Sequence, residues 1–368
     1  MTFEDIRPYN DDEIQKAMRR IAQSPEFELV APFVYPSVPL DSVRQKLASI
    51  TTVDQLQSTL MFDLMKRIID SSISRFTYSG VEQLDPDQNY LFVSNHRDIV
   101  LDASLLAYVL FQNNRRPCQI TFGANLMENP VVVDFGKSNR MFRVERGGSP
   151  REFYANLSKV SHYIHHVIAN RRESVWIAQR NGRTKDGNDQ TEAALVKMLG
   201  LYDRKVTAET YGRLHIVPMS ISYEWEPCDL LKVREVCLTR LNGSYTKKPG
   251  EDLASILTGI RSPKGEVNIT INKPVEPSDL VGDAPAATLA QILTSRIREG
   301  YRLMPTNYVA YDLLHGTSLY AHCYTSALRQ HFVDRMAQLP EILGMDSDIL
   351  RQQFLSLYAN PVEVGSKN

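Results

Sequence analysis

Between positions 150 and 170, Phe153, Leu157, Val160, Ile164 and Val167 recur at spacings of four, three, four and three. That is the period of one helix face. Short β-prone runs flank it, at 141–144 and 175–178. A helix set between two strands predicts a crossover unit, which needs a sheet with helices packed on its faces. The pattern repeats: further strands are expected at 76–78, 89–93, 120–122, 216–223 and 267–271, with helices at 99–111 and 192–199. An α/β domain with a mixed, mostly parallel sheet is therefore expected over residues 76–277.

Outside that span the pattern is helical. In region 1–75, Asn10 caps a segment bearing Ile14, Met18 and Ile21, a second helix carries Val43 and Leu47, and a third starts at a Thr52…Gln55 capping box and bears Leu56, Leu60, Leu64 and Ile68. These amphipathic helices read as a cap over the main core or as a membrane-facing surface. Region 278–368 reads as a helical extension, with helices at 287–299, 307–314 and about 317–358. The longest strictly apolar run, Leu105 to Phe111, falls far short of the roughly 20 residues that cross a bilayer. Residues 1–20 are rich in Asp and Glu and lack the apolar stretch of a secretory signal.

Lys plus Arg is 42 and Asp plus Glu is 43, a formal net charge of −1, which argues against a nucleic-acid partner. The charge is unevenly spread. Residues 137–186 hold eleven Lys or Arg against four acids, whereas residues 1–70 hold eight against eleven. The four cysteines, Cys118, Cys228, Cys237 and Cys323, form no Cys-x-x-Cys pair and read as free thiols of a reducing compartment. His162 and His166 stand one helical turn apart, with His165 between them. Without further ligand boxes they read as a helix face, and no metal is expected.

Four stretches carry candidate chemistry. The first is 94–102, where His96 and Asp102 bracket a strand-to-helix turn and Asp98 is either a helix cap or a second carboxylate. A carboxylate that orients a histidine is what general-base activation of an alcohol requires. The second is 141–148, where Arg143 faces the same side as Glu145, and Arg146 ends the strand beside two glycines. The third, 179–187, is a basic loop in which backbone N–H groups, Arg183 and Lys185 offer an anion cradle and Gly182 and Thr184 would wall the site. The fourth is the strand 216–223, whose Pro218 would wall the site.

In this order the four stretches resemble the sequence blocks of the glycerophospholipid acyltransferase superfamily, the glycerol-3-phosphate and lysophosphatidic acid acyltransferases. The resemblance covers about residues 75–275, and 301–310 is similar to a segment that follows the catalytic domain in glycerol-3-phosphate acyltransferases. It departs in two places. His96 and Asp102 are separated by five residues where the family has four, so either the turn holds one more residue or Asp98 takes part of the role. The Glu of the third block is missing, with Gln179 the nearest substitute.

The resemblance implies a glycerol-3-phosphate acyltransferase-like fold. It also implies an O-acyltransferase of phospholipid biosynthesis, moving a fatty acyl group from acyl-CoA or acyl carrier protein to glycerol 3-phosphate or a lysophospholipid. His96 would be the base, Asp102 or Asp98 its partner, and Arg143, Arg146, Arg183 and Lys185 the phosphate ligands. The acyl thioester is a co-substrate, and no cofactor is implied. The helix after Leu101 would wall the acyl chain. Acting on lipid without a span implies a cytoplasmic protein peripheral on the inner face of the membrane. The alternatives are a non-catalytic lipid or phosphate binder on the same fold, or an acyltransferase with a non-phosphate acceptor.

Overall fold

The computed structural model describes residues 2–124, 129–145, 147–248 and 250–365. Seven strands form one sheet: β1 Ile73–Ser79, β2 Leu91–Ser94, β3 Gln119–Gly123, β4 Met141–Val144, β5 Val175–Ala178, β6 Ile216–Tyr223 and β7 Gly265–Ile271. Their order is β1-β7-β6-β2-β5-β3-β4. Every pairing is parallel except β6 with β7. The mostly parallel sheet flanked by helices is thus as the sequence leads one to expect.

Alternation along the strands sorts the core into two layers. Phe92, Trp176, Val217, Met219 and Ile221 pack with helix Leu101–Gln112 on one face. Leu91, Val93, Val175, Ile177 and Ile216 pack on the other face with Ile164, Leu199 and Leu293, from helices Pro150–His166, Ala193–Gly200 and Pro285–Gly300. The seven-residue apolar run lies within Leu101–Gln112, whose Leu101, Leu105, Leu106, Val109 and Leu110 are all buried. It is a core helix, apolar almost all round because the sheet and the N-terminal helices both cover it.

The N-terminal helices build a core of their own. The apolar face of Asp11–Ala22, with Ile14, Met18 and Ile21, packs against Val43, Leu47 and Leu56. That face is used up internally, so for this helix the structure chooses the cap over the membrane-facing surface. The cap is pinned to the sheet domain at Asp134: Arg20 donates from Nε to Oδ2 and from Nη2 to Oδ1, each at 2.7 Å, and the Tyr9 hydroxyl donates to Oδ1 at 2.8 Å.

Elsewhere the structure adds to the expected elements. The third N-terminal helix runs through Val53–Leu56, a π-helical turn Gln57–Met61 and Phe62–Ser72. Helices Asp229–Asn242 and Glu251–Arg261 lie between β6 and β7, where no helix is expected from the sequence. The first buries Asp229 and Lys232 beside Val233 and Cys237, so ion-paired polar groups interrupt its apolar period. The expected 317–358 stretch divides into Ser326–Met336 and Ser347–Gly365, with Pro340 and Gly344 between them.

Candidate active site

Strand β2 occupies the middle of the sheet, with β5 on one side and β6 on the other. The chain lays β3, β4 and β5 to one side of β2 and then crosses to β6. The carboxyl end of β2 is therefore a topological switch point, where α/β sheets leave a crevice for ligands. His96 stands there, two residues beyond Ser94.

Its ring is held by a buried carboxylate. His96 Nδ1 lies 2.8 Å from Asp102 Oδ2, and Asp102 is wholly buried in the first turn of Leu101–Gln112. That oxygen also accepts the backbone N–H of Arg97 at 2.6 Å and of Asp98 at 2.9 Å. The other oxygen accepts the Tyr223 hydroxyl at 2.9 Å. Burial, with Asp102 beside it, pushes the Tyr223 hydroxyl well above its ordinary range, so it remains a donor. Three donors besides the imidazole keep the Asp102 carboxylate satisfied away from water. The His96 ring meets Trp176 edge to face at 5.6 Å, and Trp176 Nε1 donates to Ser94 Oγ at 3.0 Å. Among the described contacts none engages His96 Nε2, and the side chain is 14% exposed. Nδ1 is committed to the carboxylate, which leaves Nε2 as the proton acceptor.

The five-residue spacing is thus accommodated within the turn. Asp98 does not reach the His96 ring; its Oδ1 accepts the N–H groups of Val100 and Leu101, both at 2.9 Å, and so starts the helix. Of the two carboxylates offered by the sequence, Asp102 contacts His96 and Asp98 caps. Asp98 is also buried, and burial followed by repulsion from Asp102 raises its pKa above the usual carboxylate range. Gly259 makes room for it: a Cβ there would stand 2.1 Å from Asp98 Oδ2. Gly259→Ala should therefore cost about 1–3 kcal/mol through overpacking, and should lower acyl transfer further by moving the turn that carries His96. A thermal melt beside the activity measurement checks both effects.

The loop after β5 wraps the same turn. Gln179 N donates to Ser94 O, and Thr184 N donates to His96 O, each at 2.7 Å. Gly182 has φ +73°, which favours glycine, and open space where a side chain would project. Arg183 is 8% exposed, and its Nη1 is buried without a hydrogen-bond partner. Gln179 is fully buried and takes the Thr191 hydroxyl on Oε1 at 3.1 Å.

The remaining candidates stand otherwise. Lys185 Nζ is spent on Glu235 at 2.6 Å. Arg143 pairs with Glu145 at 2.6 Å on strand β4, and its N–H is taken by Ile6 O. Pro218 sits in mid-strand opposite Val93, behind the His96 turn. Arg146 lies outside the described residues. In the histidine cluster, His165 is buried and stacks on Tyr202 at 4.1 Å, and burial lowers its pKa to about 4. It is a packed neutral ring. The sequence points to neither Trp176, on a strand that reads as core, nor Tyr223, on a strand singled out only for Pro218; a hydroxyl aimed at a carboxylate leaves no spacing signal.

A mostly parallel α/β sheet with a carboxylate-oriented histidine at its switch point defines a class able to activate a hydroxyl. The comparisons narrow it. Residues 75–222 match the sequence model of the family described as Acyltransferase. Over 208 residues the chain is 24% identical to a glycerol-3-phosphate acyltransferase of Pseudomonas syringae pv. tomato, covering 56% of this chain and 24% of that protein. The match thus spans about a quarter of the length of that relative. Among solved structures, the 1-acyl-sn-glycerophosphate (LPA) acyltransferase PlsC from Thermotoga maritima covers 78% of this chain and 92% of its own, at 12% identity and a TM-score of 0.40. The matched residues, 75–222, include His96, Asp102 and Arg183.

Proposed function

We propose that the protein transfers a fatty acyl group from an acyl thioester, acyl-CoA or acyl carrier protein, to a hydroxyl of glycerol 3-phosphate or a lysophospholipid. The observation that carries this reading is the 2.8 Å contact between His96 Nδ1 and the buried Asp102 at the end of the central strand. His96 Nε2 takes the proton of the acceptor hydroxyl as its oxygen attacks the thioester carbonyl. The tetrahedral intermediate collapses, the C–S bond breaks, and the leaving thiolate recovers the proton from the imidazolium. An ester and a free thiol result, so direct transfer needs no acyl-enzyme. Asp102 stabilises the imidazolium while its four contacts keep the ring aimed.

Arg183 is the first candidate for the acceptor phosphate, since its buried Nη1 lacks a partner and its neighbour Thr184 is bonded to the His96 carbonyl. Arg143 and Lys185 already have carboxylate partners and are proposed only to shape the local field. For the acyl chain we favour the apolar cleft between Ala107, Tyr108 and Phe111 of Leu101–Gln112 and Met61, Phe62 and Met65 of the N-terminal region. The proposed reaction needs no cofactor. No described helix is long and apolar enough to cross a membrane; the amphiphilic acyl donor and lysophospholipid acceptor support our proposal that the protein works peripherally, on the inner face of the membrane.

The same 2.8 Å contact weighs against a non-catalytic binder, for which a wide His96–Asp102 separation is the expected mark. The test is product analysis by mass spectrometry, with a long-chain acyl thioester and a panel of hydroxyl acceptors. Acylated glycerol 3-phosphate or lysophospholipid is expected. Transfer to unphosphorylated alcohols with equal efficiency would overturn the phosphate assignment.

A further inference from the structure

The residues on either side of His96 point away from the crevice, into a buried ionic cluster. Arg97 is 1% exposed. Its Nη2 donates to Asp189 and its Nη1 to Glu226 Oε2 at 3.0 Å. Lys232, fully buried, donates from Nζ to the Arg97 carbonyl at 2.6 Å and to the other oxygen of Glu226. On the other side of His96, Asn95 Nδ2 donates to Asp189 Oδ2 at 3.1 Å, while its Oδ1 accepts Ile221 N at 2.8 Å. Two cations face two carboxylates, so the cluster is balanced. Loss of one charge would leave a buried ion uncompensated.

This cluster is built partly from outside the domain that carries the histidine. The Arg97 guanidinium lies 4.8 Å from the centroid of the Tyr301 ring. The Tyr358 hydroxyl accepts the Glu226 N–H at 3.0 Å and donates to Asp229 at 2.9 Å. Helix Ser347–Gly365 also grips the loop after β5: Asn360 Nδ2 donates to Asp186 O at 2.6 Å, and Gln353 Nε2 donates to Lys185 O at 2.9 Å. A Cβ on Gly187 would stand 2.4 Å from Leu357 O, so that contact is backbone to backbone. Arg97 in turn delivers its own N–H to the Asp102 oxygen that holds His96.

We propose that Arg97, Glu226 and Tyr301 are positioning residues, through which the C-terminal helical extension sets the geometry of the His96–Asp102 pair. The extension acts by fixing the backbone on which the base stands. This rests on the acyl-transfer reading for its kinetic part and is independent of it for its spectroscopic part. A misplacement of about 1 Å at a base can cost up to 100-fold in rate, so the effect falls on kcat and spares substrate affinity.

The experiment uses the full chain with Glu226→Gln, Tyr301→Leu and a control, Asp312→Asn. Asp312 is buried in the same extension, where it binds Thr317, Tyr320 and Tyr324 and has no bond to the cluster. Steady-state kinetics are paired with NMR of 15N-histidine-labelled protein, following the low-field Nδ1–H proton of His96, assigned by its loss in His96→Ala. For Glu226→Gln, kcat is expected to fall about tenfold with both KM values within about twofold, and the low-field proton to broaden or vanish. Tyr301→Leu should do the same more mildly, and it carries the test if Glu226→Gln does not fold. Asp312→Asn should lower Tm and leave kcat per folded molecule and the resonance unchanged. The proposal is overturned if the folded cluster variants keep both kcat and the resonance, or if Asp312→Asn reproduces their effects. If the wild-type chain transfers no acyl group, the proposed function fails, and the resonance alone still decides this inference.

Discussion

His96→Ala is expected to lower kcat for acyl transfer about 1000-fold while leaving KM for the acyl thioester near its wild-type value. General-base assistance is worth about 10²–10⁴ in rate. The upper part of that range is reasonable here, because a free alcohol is a poor nucleophile and Nε2 is the one polar atom of the ring left unengaged among the described contacts. The ring is also part of the packing, through its edge contact with Trp176. The variant therefore needs a thermal melt, and the kinetic loss should far exceed what any fall in folded fraction explains. Residual activity within tenfold of wild type would remove His96 from the mechanism.

Arg183→Ala is expected to raise KM for a phosphorylated acceptor by about 10- to 100-fold, with a smaller effect on an unphosphorylated alcohol. A hydrogen bond to a charged group is worth about 1.5–3 kcal/mol, and a guanidinium already buried and short of a partner has little more desolvation to undergo on binding. Arg183 also offsets part of the negative charge near buried Asp98. Some loss of stability should accompany the substitution, and Arg183→Lys should recover stability before it recovers acceptor affinity, because a point charge replaces the fork that matches phosphate. Raising ionic strength should not abolish the wild-type preference, since the group is screened from solvent. An unchanged KM for the phosphorylated acceptor in folded Arg183→Ala would assign the phosphate elsewhere.

Much of the sheet was legible because its strands and covering helices obey two clean periods. Phe153 to Val167 mark one helix, and the flanking runs became β4 and β5. The helices between β6 and β7 were not legible. Lys232 and Asp229 occupy positions where an apolar residue would have shown the period, and they are buried only because Arg97, Arg335 and Tyr358 arrive from far along the chain to join Glu226 beside them. The His96–Asp102 pair was visible as a spacing, but the choice between Asp98 and Asp102 was not. It depends on Asp98 turning back to cap Val100 and Leu101 and on Gly259 leaving room behind it. The basic stretch 137–186 was read as a set of phosphate ligands. The Arg143–Glu145 pair follows from strand alternation, but folding also gives Lys185 a distant partner in Glu235 and leaves Arg183 with an unfilled donor, a distinction that local sequence does not carry.

Orientation of the His96 base by Asp102 is tested by comparing two proteins. The full chain and its Asp102→Asn variant are each supplied with a long-chain acyl thioester and glycerol 3-phosphate, and ester formation is followed by mass spectrometry. The wild type should form acylated glycerol phosphate at least about 100-fold faster, because an amide cannot stabilise the imidazolium as a carboxylate does. Ester formation at equal rates by the two proteins would mean that Asp102 does not assist the base.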